Sequence, residues 1–582
     1  MSQKPRSRKA AAATAAGGIA EDRISELPEE IIHNILHRVK PPSEAAKTSL
    51  LSRRWLQLWH SYPVVEFRDQ DFNWDFDEIR IRFERFAAAA SRRLLQPHNH
   101  GKTAAAAAPI ALDAFRISLQ YPRQNEELLD KLLAPASLLP AADDDGSRSP
   151  LEIVVHTIPG TYVIPFSSPY SFPDGTFLNC RRTRSLSLSG CDLRSQYRSN
   201  WSSNNICLED LCLKCTWISE QMLQSFLGNA PNLEKLSLSW IQGVESLDLS
   251  HPNLKTIFIG GNYGSVLQLQ LTSAPLLHTL RFESTLDCKL NVASKFSIPN
   301  LKFIHIRNDP WMGSKWLGDL EDLISKSPSL ESLDFQNVKN PDERKPLPWL
   351  RIDSPSSASK LRTLRLSFSK TERPLEIDAP NLVSLCIATD SAINVEAVKV
   401  ASDCKCVIDW HISRENKLTT GWFVELRRFL AALTRSFRHK PVLKLHFPSY
   451  YYNPEVSFSL SEVKCVSSPI PEVQNLQFGS SFSSRLSNMR HAKAIIFLEA
   501  LLWTCHPNRI SIAEQSDPRD SQRSLTKFQR IWKQVANKNL ESSSCGGDVQ
   551  HWQDGLKDVN IMSDTIDADS ALARNYICFT LT

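Results

Sequence analysis

The chain has 582 residues, of which 42% are hydrophobic and 23% charged, with a formal net charge of +5. That length accommodates two to four domains of about 150 residues each, and the composition excludes wholesale disorder. No run approaches the roughly 20 uninterrupted apolar residues that a membrane span requires, and the N-terminus lacks the aliphatic core of a secretory signal.

In chain order, residues 1–21 read as a disordered basic tail. Lys4, Arg6, Arg8 and Lys9 carry four positive charges with no acid among the first twenty residues, which leaves +1 for the body. A nearly neutral body argues against a nucleic-acid groove, which needs a concentrated basic face. The tail itself reads either as a weak nuclear-import patch or as a solvated end.

Residues 22–66 show a compact helical pattern. Leu27, Ile31, Ile32, Ile35, Leu36 and Val39 recur at helical spacing, with Pro28 fitting the first turn and Glu29 and Glu30 the positive end. His37, Arg38 and Lys40 suit the other end, and Pro41-Pro42 stops the helix. Ser43 is placed to cap a second helix carrying Ala45, Ala46, Leu50 and Leu51. Ser52 is placed to cap a third, on which Trp55 and Trp59 lie one turn apart. About 45 residues bury too little surface to stand alone, yet the first helix has more apolar face than two short neighbours can cover. That excess predicts docking against a second protein, with packing on the rest of the same chain as the alternative. His33 and His37 have the spacing of a zinc pair, but Asn34 stands where a zincin has its glutamate, so they read as polar-face residues.

Leu27-Pro28-Glu29-Glu30-Ile31-Ile32, Ile35-Leu36, Thr48-Ser49-Leu50-Leu51-Ser52-Arg53-Arg54-Trp55 and Leu58-Trp59 together resemble a plant-type F-box. The resemblance implies binding to the Skp-type adaptor of a Skp–cullin–F-box ubiquitin ligase. It assigns Leu27, Pro28, Ile31, Ile35, Leu36, Leu50, Leu51 and Trp55 to forming or supporting that contact, without separating those that touch the adaptor from those that fill the module's core.

Residues 67–109 read as a helical linker whose end, Ala87 to Ala90, runs into a low-complexity insertion, and Ala141 to Pro150 as a loop. From 110 to 450 a repeat dominates, and Leu112 to Leu119 and Leu151 to His156 read as strands, its irregular opening copies. Pro231, Pro252, Pro275, Pro299, Pro328 and Pro380 each stand two residues before a Leu that opens an apolar L-x-x-L-x-L triplet, at intervals of 21, 23, 24, 29 and 52 residues. A copy at Leu361, Leu364 and Leu366 lacks the proline, and earlier copies lie at Leu208, Leu211, Leu213 and around Leu186 and Leu188. Such periods read as leucine-rich repeats. One repeat cannot bury its own apolar face, so neighbours stack with the triplet as a short strand. Ile241, Asp309 and Asp390 stand where the usual Asn or Cys would be, and repeat length varies, so the expectation is an irregular solenoid. Leu247, Leu249, Leu267, Leu269 and Leu271 add half-repeats on a second face.

Residues 463–512 carry Val473, Leu476 and Phe478, then a helix with Ile495, Ile496, Leu498, Leu501 and Leu502 at core spacing. Val473-Gln474-Asn475-Leu476, Leu501 to Pro507 and Ile510-Ser511-Ile512 resemble the FBD-like segment of plant F-box leucine-rich-repeat proteins. His551-Trp552 and Leu556 to Val559 resemble its closing strand, within a polar tail over 513–582. The fold class is thus α/β: a small N-terminal three-helix F-box followed by an irregular leucine-rich-repeat solenoid.

Catalytic signatures are missing. Gly101-Lys102-Thr103 imitates a phosphate loop without its leading glycine, Gly260, Gly261 and Gly264 make no dinucleotide turn in what reads as a repeat loop, and no G-x-S-x-G occurs. Cys505-His506 are adjacent, which disfavours a dyad, and no third group is evident. Thirteen unevenly spaced cysteines suit reduced thiols and a location in nucleus and/or cytoplasm. The close pairs Cys212/Cys215 and Cys404/Cys406 lack a matching second pair for zinc. No cofactor or metal is expected, and no nucleic-acid or membrane partner. The expected function is that of a non-catalytic adaptor, the F-box holding the Skp-type adaptor and, through it, a cullin ligase, and the repeats holding an unidentified target protein for ubiquitination. By the same resemblance, other subunits transfer ubiquitin and this chain supplies proximity. A scaffold that directs no degradation and a small-molecule-dependent sensor stand as alternatives.

Overall fold

The computed structural model describes residues 24, 26–40, 42–71, 76–95, 112–119, 126–136, 151–157, 169–171, 183–194, 207–262, 267–284, 288–292, 298–308, 320–337, 351–352, 360–368, 375–392, 395–412, 418–447, 456–479, 491–513, 530–531, 534–535, 559–564 and 576–581. The basic tail, the insertion with Gly101 to Thr103, the 141–150 loop, Gly264, most of 513–548, His551-Trp552 and Leu556 to Asp558 lie outside the described residues. The chain divides into two compact units, residues 1–161 with 176–183 and residues 162–175 with 184–582.

The first unit opens with three short helices, α1 (Glu29–Arg38), α2 (Pro42–Lys47) and α3 (Arg53–Ser61). Helix α1 begins after Pro28, which takes the capping position rather than the first turn: its carbonyl accepts from the amides of Ile31 and Ile32, both at 3.1 Å. Helix α2 begins at Pro42, so Ser43 sits inside its first turn rather than capping it; a proline there loses no hydrogen bond. Three strands come next, Val64–Arg68, Ala114–Ser118 and Leu151–His156, joined by helices Phe76–Leu95 and Glu126–Ala136. They pair in parallel, Val64 opposite Ala114 and Ala114 opposite Glu152. Alternation of buried and less buried residues along them matches the pleat. The two strands read as opening repeats therefore share this unit with the helical module; they pair with each other, and Ala114–Ser118 also pairs with Val64–Arg68, which repeat spacing gave no reason to mark. Glu66, its side chain 6% exposed, sits among Lys40 (3.6 Å), Arg68 and Arg116 (3.7 Å), tying the end of α1 to the sheet.

The second unit is a ladder of parallel strands, one per repeat. Thr183–Ser189, Asp210–Lys214, Lys235–Ile241, Thr256–Asn262, Thr279–Ser284, Phe303–Asn308, Ser332–Asn337, Thr363–Phe368, Ser384–Thr389, Lys405–His411, Val442–His446, Asn475–Phe478 and Arg509–Ala513 pair successively. Register places Leu211, Leu236, Ile257, Leu280, Ile304, Leu333, Leu364 and Leu385 in one buried row. Burying that row only between neighbours is the stacking of a solenoid.

The repeat proline has a local job that its spacing alone does not reveal. The amides of Leu233, Leu277, Leu301, Leu330 and Leu382 each reach the carbonyl three residues earlier, on Ala230, Ala274, Ile298, Ser327 and Ala379, at 3.0–3.3 Å. Each closes a β-turn with Pro in its second position, where a fixed φ is favoured. The asparagine after the proline links repeats: Asn253 Nδ2 donates to Pro231 O (2.8 Å) and Asn300 Nδ2 to Pro275 O (2.7 Å).

The half-repeats form a second layer of short parallel strands, Ser246–Ser250 with Leu267–Ser273 and Cys288–Val292, and later Arg351–Ile352 with Leu375–Ala379 and Val395–Val400. Gly260 and Gly261 lie in strand Thr256–Asn262 and not in a loop; a Cβ on Gly261 would stand 2.4 Å from the Trp240 ring, so packing, not phosphate binding, accounts for the missing side chain. At the C-terminal end the ladder turns antiparallel, Arg509–Ala513 pairing with Tyr576–Leu581 and that strand with Val559–Asp564. No described helix is long and apolar enough to cross a membrane.

Candidate functional site

The three-helix module resolves the eight residues singled out in the sequence into two groups. Residues four apart on a helix share a face. On α1, Ile32 (0% exposed) and Leu36 (2%) turn inward, while the adjacent stripe, Ile31 (46%) and Ile35 (37%), faces solvent. After α2 the chain tightens into a 3-10 turn, Thr48–Leu50, with the Leu51 amide on Thr48 O at 3.0 Å. The Thr48 and Ser49 hydroxyls donate back to Ala45 O and Ala46 O at 2.6 and 2.7 Å. This turn leaves Leu50 86% and Leu51 69% exposed. Helix α3 is capped as its sequence predicts, Ser52 Oγ accepting from the Trp55 amide at 3.2 Å; it turns Trp55 and Leu58 inward and leaves Leu56 exposed.

The inward residues form one cluster: Ile32, Leu36, Ala45, Trp55, Leu58 and Tyr62, with Val64 and Ala114 from the strands, and Leu27, Val39 and Trp59 packed at its edge. The module is thus completed on its inner side by its own chain, as a segment of this size requires. Pro28 is exposed at the start of α1, and Arg54 Nη2 donates to Leu27 O at 3.0 Å, anchoring that start to α3. The two histidines do not simply line a polar face. His33 Nε2 donates to Leu58 O (3.1 Å) and its ring meets Tyr62 edge-on; the Tyr62 hydroxyl reaches His37 Nδ1 at 3.4 Å. Both bridge the first helix to the end of the third.

The geometry leaves Ile31, Ile35, Leu50 and Leu51, with Ile24 and Leu56, as the exposed large aliphatic side chains of the module. Covering one such side chain is worth about 1.5–3 kcal/mol. A surface of this kind carries no reacting group.

The buried thiols and the Cys505-His506 neighbours are placed for packing. Cys505 is fully buried and its thiol is pushed up to about 12 by burial, while burial lowers the His506 imidazole. A thiol so protonated is no nucleophile. Burial likewise pushes Cys386 and Cys404 up to about 11. No group of three metal-ligating side chains occurs among the described residues.

Helix Thr420–Thr434, which the repeat spacing did not disclose, is capped by Thr419 and buries Trp422, Phe423, Leu426, Phe429, Leu430 and Leu433. Its Arg427, 4% exposed, donates to Trp503 O (3.1 Å) and Ser468 O, at the carbonyl end of helix His491–Leu502. A cation at that end meets the negative pole of the helix. On the same helix the buried Glu499 pairs with Lys464 at 2.6 Å. The FBD-like segment is therefore docked on the repeats by buried polar contacts as well as by its apolar face.

Comparison with known proteins finds matches to two segments of the chain. The F-box domain family matches residues 24–66, and the family described as FBD-associated F-box protein At5g56370, LRR repeats, matches residues 161–309. The chain is similar to plant F-box proteins with leucine-rich repeats. Among Arabidopsis thaliana proteins, F-box/LRR-repeat protein 25 is 24% identical over 234 residues, 40% of this chain and 72% of that protein. F-box protein At5g03100 is 26% identical over 237 residues, 40% and 61%. F-box/FBD/LRR-repeat protein At2g04230 is 44% identical over 61 residues, 10% of this chain and 13% of that one.

Proposed function

We propose that this chain is the substrate-recognition adaptor of a Skp–cullin–F-box ubiquitin ligase, its helical module holding the Skp-type adaptor and its repeats holding a target protein. The observation that carries the reading is the exposed aliphatic stripe of Ile31, Ile35, Leu50 and Leu51 on a module similar to the F-box domain. Leu36 and Trp55 support that stripe from the core, and Leu27 and Pro28 position the helix that bears it. The chain contributes no reacting group in this reading: it brings a target to a transfer centre on other subunits, and its rate effect is one of proximity. The nucleus and/or cytoplasm is its proposed location. Size-exclusion chromatography of the full chain with a purified Skp-type adaptor tests the reading. Co-elution as a one-to-one complex is expected, and separate elution at micromolar concentrations contradicts it.

A further inference from the structure

On the ladder, a given position of one strand lies beside that of the next. One such row runs Arg307, Gln336, Ser367, Ala388, Asp409, Lys444, exposed at Arg307, half-buried at Gln336, Ser367 and Lys444, and buried at Ala388 and Asp409. Strands stand about 4.8 Å apart, so the five steps span about 24 Å. The middle of the row, Ser367 and Ala388, is a floor of small side chains, with Arg365 exposed beside it.

The acids of this face are already engaged. Arg281 pairs with Glu283 at 2.5 Å. His305 Nδ1 donates to Asp334 Oδ2 (3.0 Å), and Gln336 Nε2 donates to Asp334 Oδ1 (3.1 Å). His446 Nε2 donates to Asp409 Oδ1 at 2.8 Å, with the His411 ring stacked on His446 at 4.8 Å. Arg365 reaches Asp409 only at 3.7 Å. Arg307 and Lys444 have no ion pair among the described residues. Three cations thus flank this floor, Arg307 and Lys444 without an ion pair among the described residues and Arg365 with only the long one, while the carboxylates beside it are held mainly by imidazoles and an amide.

We propose that this face, between Arg307, Arg365 and Lys444, docks an acidic peptide segment of a partner protein. The inference deepens the adaptor reading, on which it rests, by naming the chemistry of the target. Charge complementarity selects the occupant: a carboxylate or phosphate brought to the floor forms charge-assisted hydrogen bonds with Arg365 and Lys444, whereas a basic segment gains no free acid. An extended segment crossing the strands at the floor meets the three cations over a length of several residues.

The test is fluorescence anisotropy of the full chain with short labelled peptides: alternating aspartate and glycine, the asparagine counterpart, and a phosphoserine counterpart. The aspartate or phosphoserine peptide, or both, is expected to bind and the asparagine peptide not. Phosphoserine tighter by about tenfold or more assigns the site to phosphorylated segments, and parity assigns it to carboxylates. The double variant Arg365→Gln, Lys444→Gln is expected to weaken binding about tenfold or more with its thermal midpoint unchanged, while Lys255→Gln, an ion-paired cation elsewhere on the ladder, changes nothing. Equal binding of the asparagine peptide, unaltered binding by the double variant, or no binding of either anionic peptide overturns the proposal. The same preparations are assayed for adaptor capture. A chain that captures the adaptor and refuses both anionic peptides sinks this inference alone; one that binds an anionic peptide and not the adaptor sinks the ligase reading alone.

Discussion

At the scale of single residues, adjacent stripes of one helix separate exposed side chains from core ones. Leu36 is core, and truncation to alanine removes buried methyls and leaves a cavity costing about 2–5 kcal/mol. Ile35, one residue earlier, is 37% exposed, and its truncation costs less than about 1 kcal/mol. Thermal unfolding should therefore show a clear fall in midpoint for Leu36→Ala and almost none for Ile35→Ala; equal falls would mean that the exposed stripe is packed. Cysteine reactivity makes a second residue-scale prediction. With Cys207 and Cys465 exposed and the buried Cys505 thiol pushed up to about 12, iodoacetamide on the native chain should label the first two and spare the third, as read by peptide mass spectrometry. Rapid labelling of Cys505 would revive a nucleophilic role for it.

Titration belongs to the same scale. Burial works to raise the Asp409 carboxyl, but the hydrogen bond from His446 and nearby positive groups outweigh it and hold it below the usual carboxylate range; Asp334 is held low in the same way by His305 and Gln336. A carboxyl that is more acidic folded than unfolded stabilises the fold above its unfolded value of about 4, and that contribution is lost as pH falls towards the folded value. Stability of the repeats should therefore drop below about pH 4, and Asp409→Asn should flatten the drop in urea titrations. An unchanged acid slope in the variant would remove Asp409 from the account.

At the scale of elements, the repeat is held by turn chemistry as much as by leucines. Replacing Asn253 or Asn300 with alanine deletes a side-chain bond to the proline carbonyl of the preceding repeat, a loss of about 0.5–1.5 kcal/mol each in urea unfolding. No loss would mean that the leucine row alone sets the stacking. Gly243, with φ +87°, lies where a Cβ would stand 2.6 Å from Ile218 O, so alanine there is strained by both conformation and contact. Most of this architecture was legible. A triplet with period-two alternation dictates a strand, and the second face came from the extra leucine pairs. The elements that escaped did so for physical reasons. Strand Val64–Arg68 comes directly after a helical module and carries no repeat signature, and Tyr576–Leu581 lies beyond a polar stretch that separates it from its partner in sequence. Helix Thr420–Thr434 is almost wholly apolar on its buried side, so its periodicity merges into the surrounding leucine pattern.

At the scale of the molecule, the sequence does not divide the module's eight singled-out residues into buried and exposed groups; the packing does. Resemblance singled out the eight residues without dividing them, and Ile31 and Ile32 are indistinguishable until the helix is set against Trp55, Val64 and Ala114. The strand residue Ala114, about fifty positions downstream of the module, belongs with Val64 and Trp55 to the cluster that buries the inner stripe. The division matters for function because only the outer stripe is available to a second polypeptide.

The central claim is that this outer stripe is a protein-binding surface. Its most direct test places charge on the two most exposed leucines, Leu50→Asp and Leu51→Asp, in the full chain, and measures affinity for a Skp-type adaptor by titration calorimetry beside a thermal scan. The account predicts binding weakened by more than about a hundredfold with the thermal midpoint unchanged. Undiminished binding by the doubly substituted, fully folded chain would contradict it.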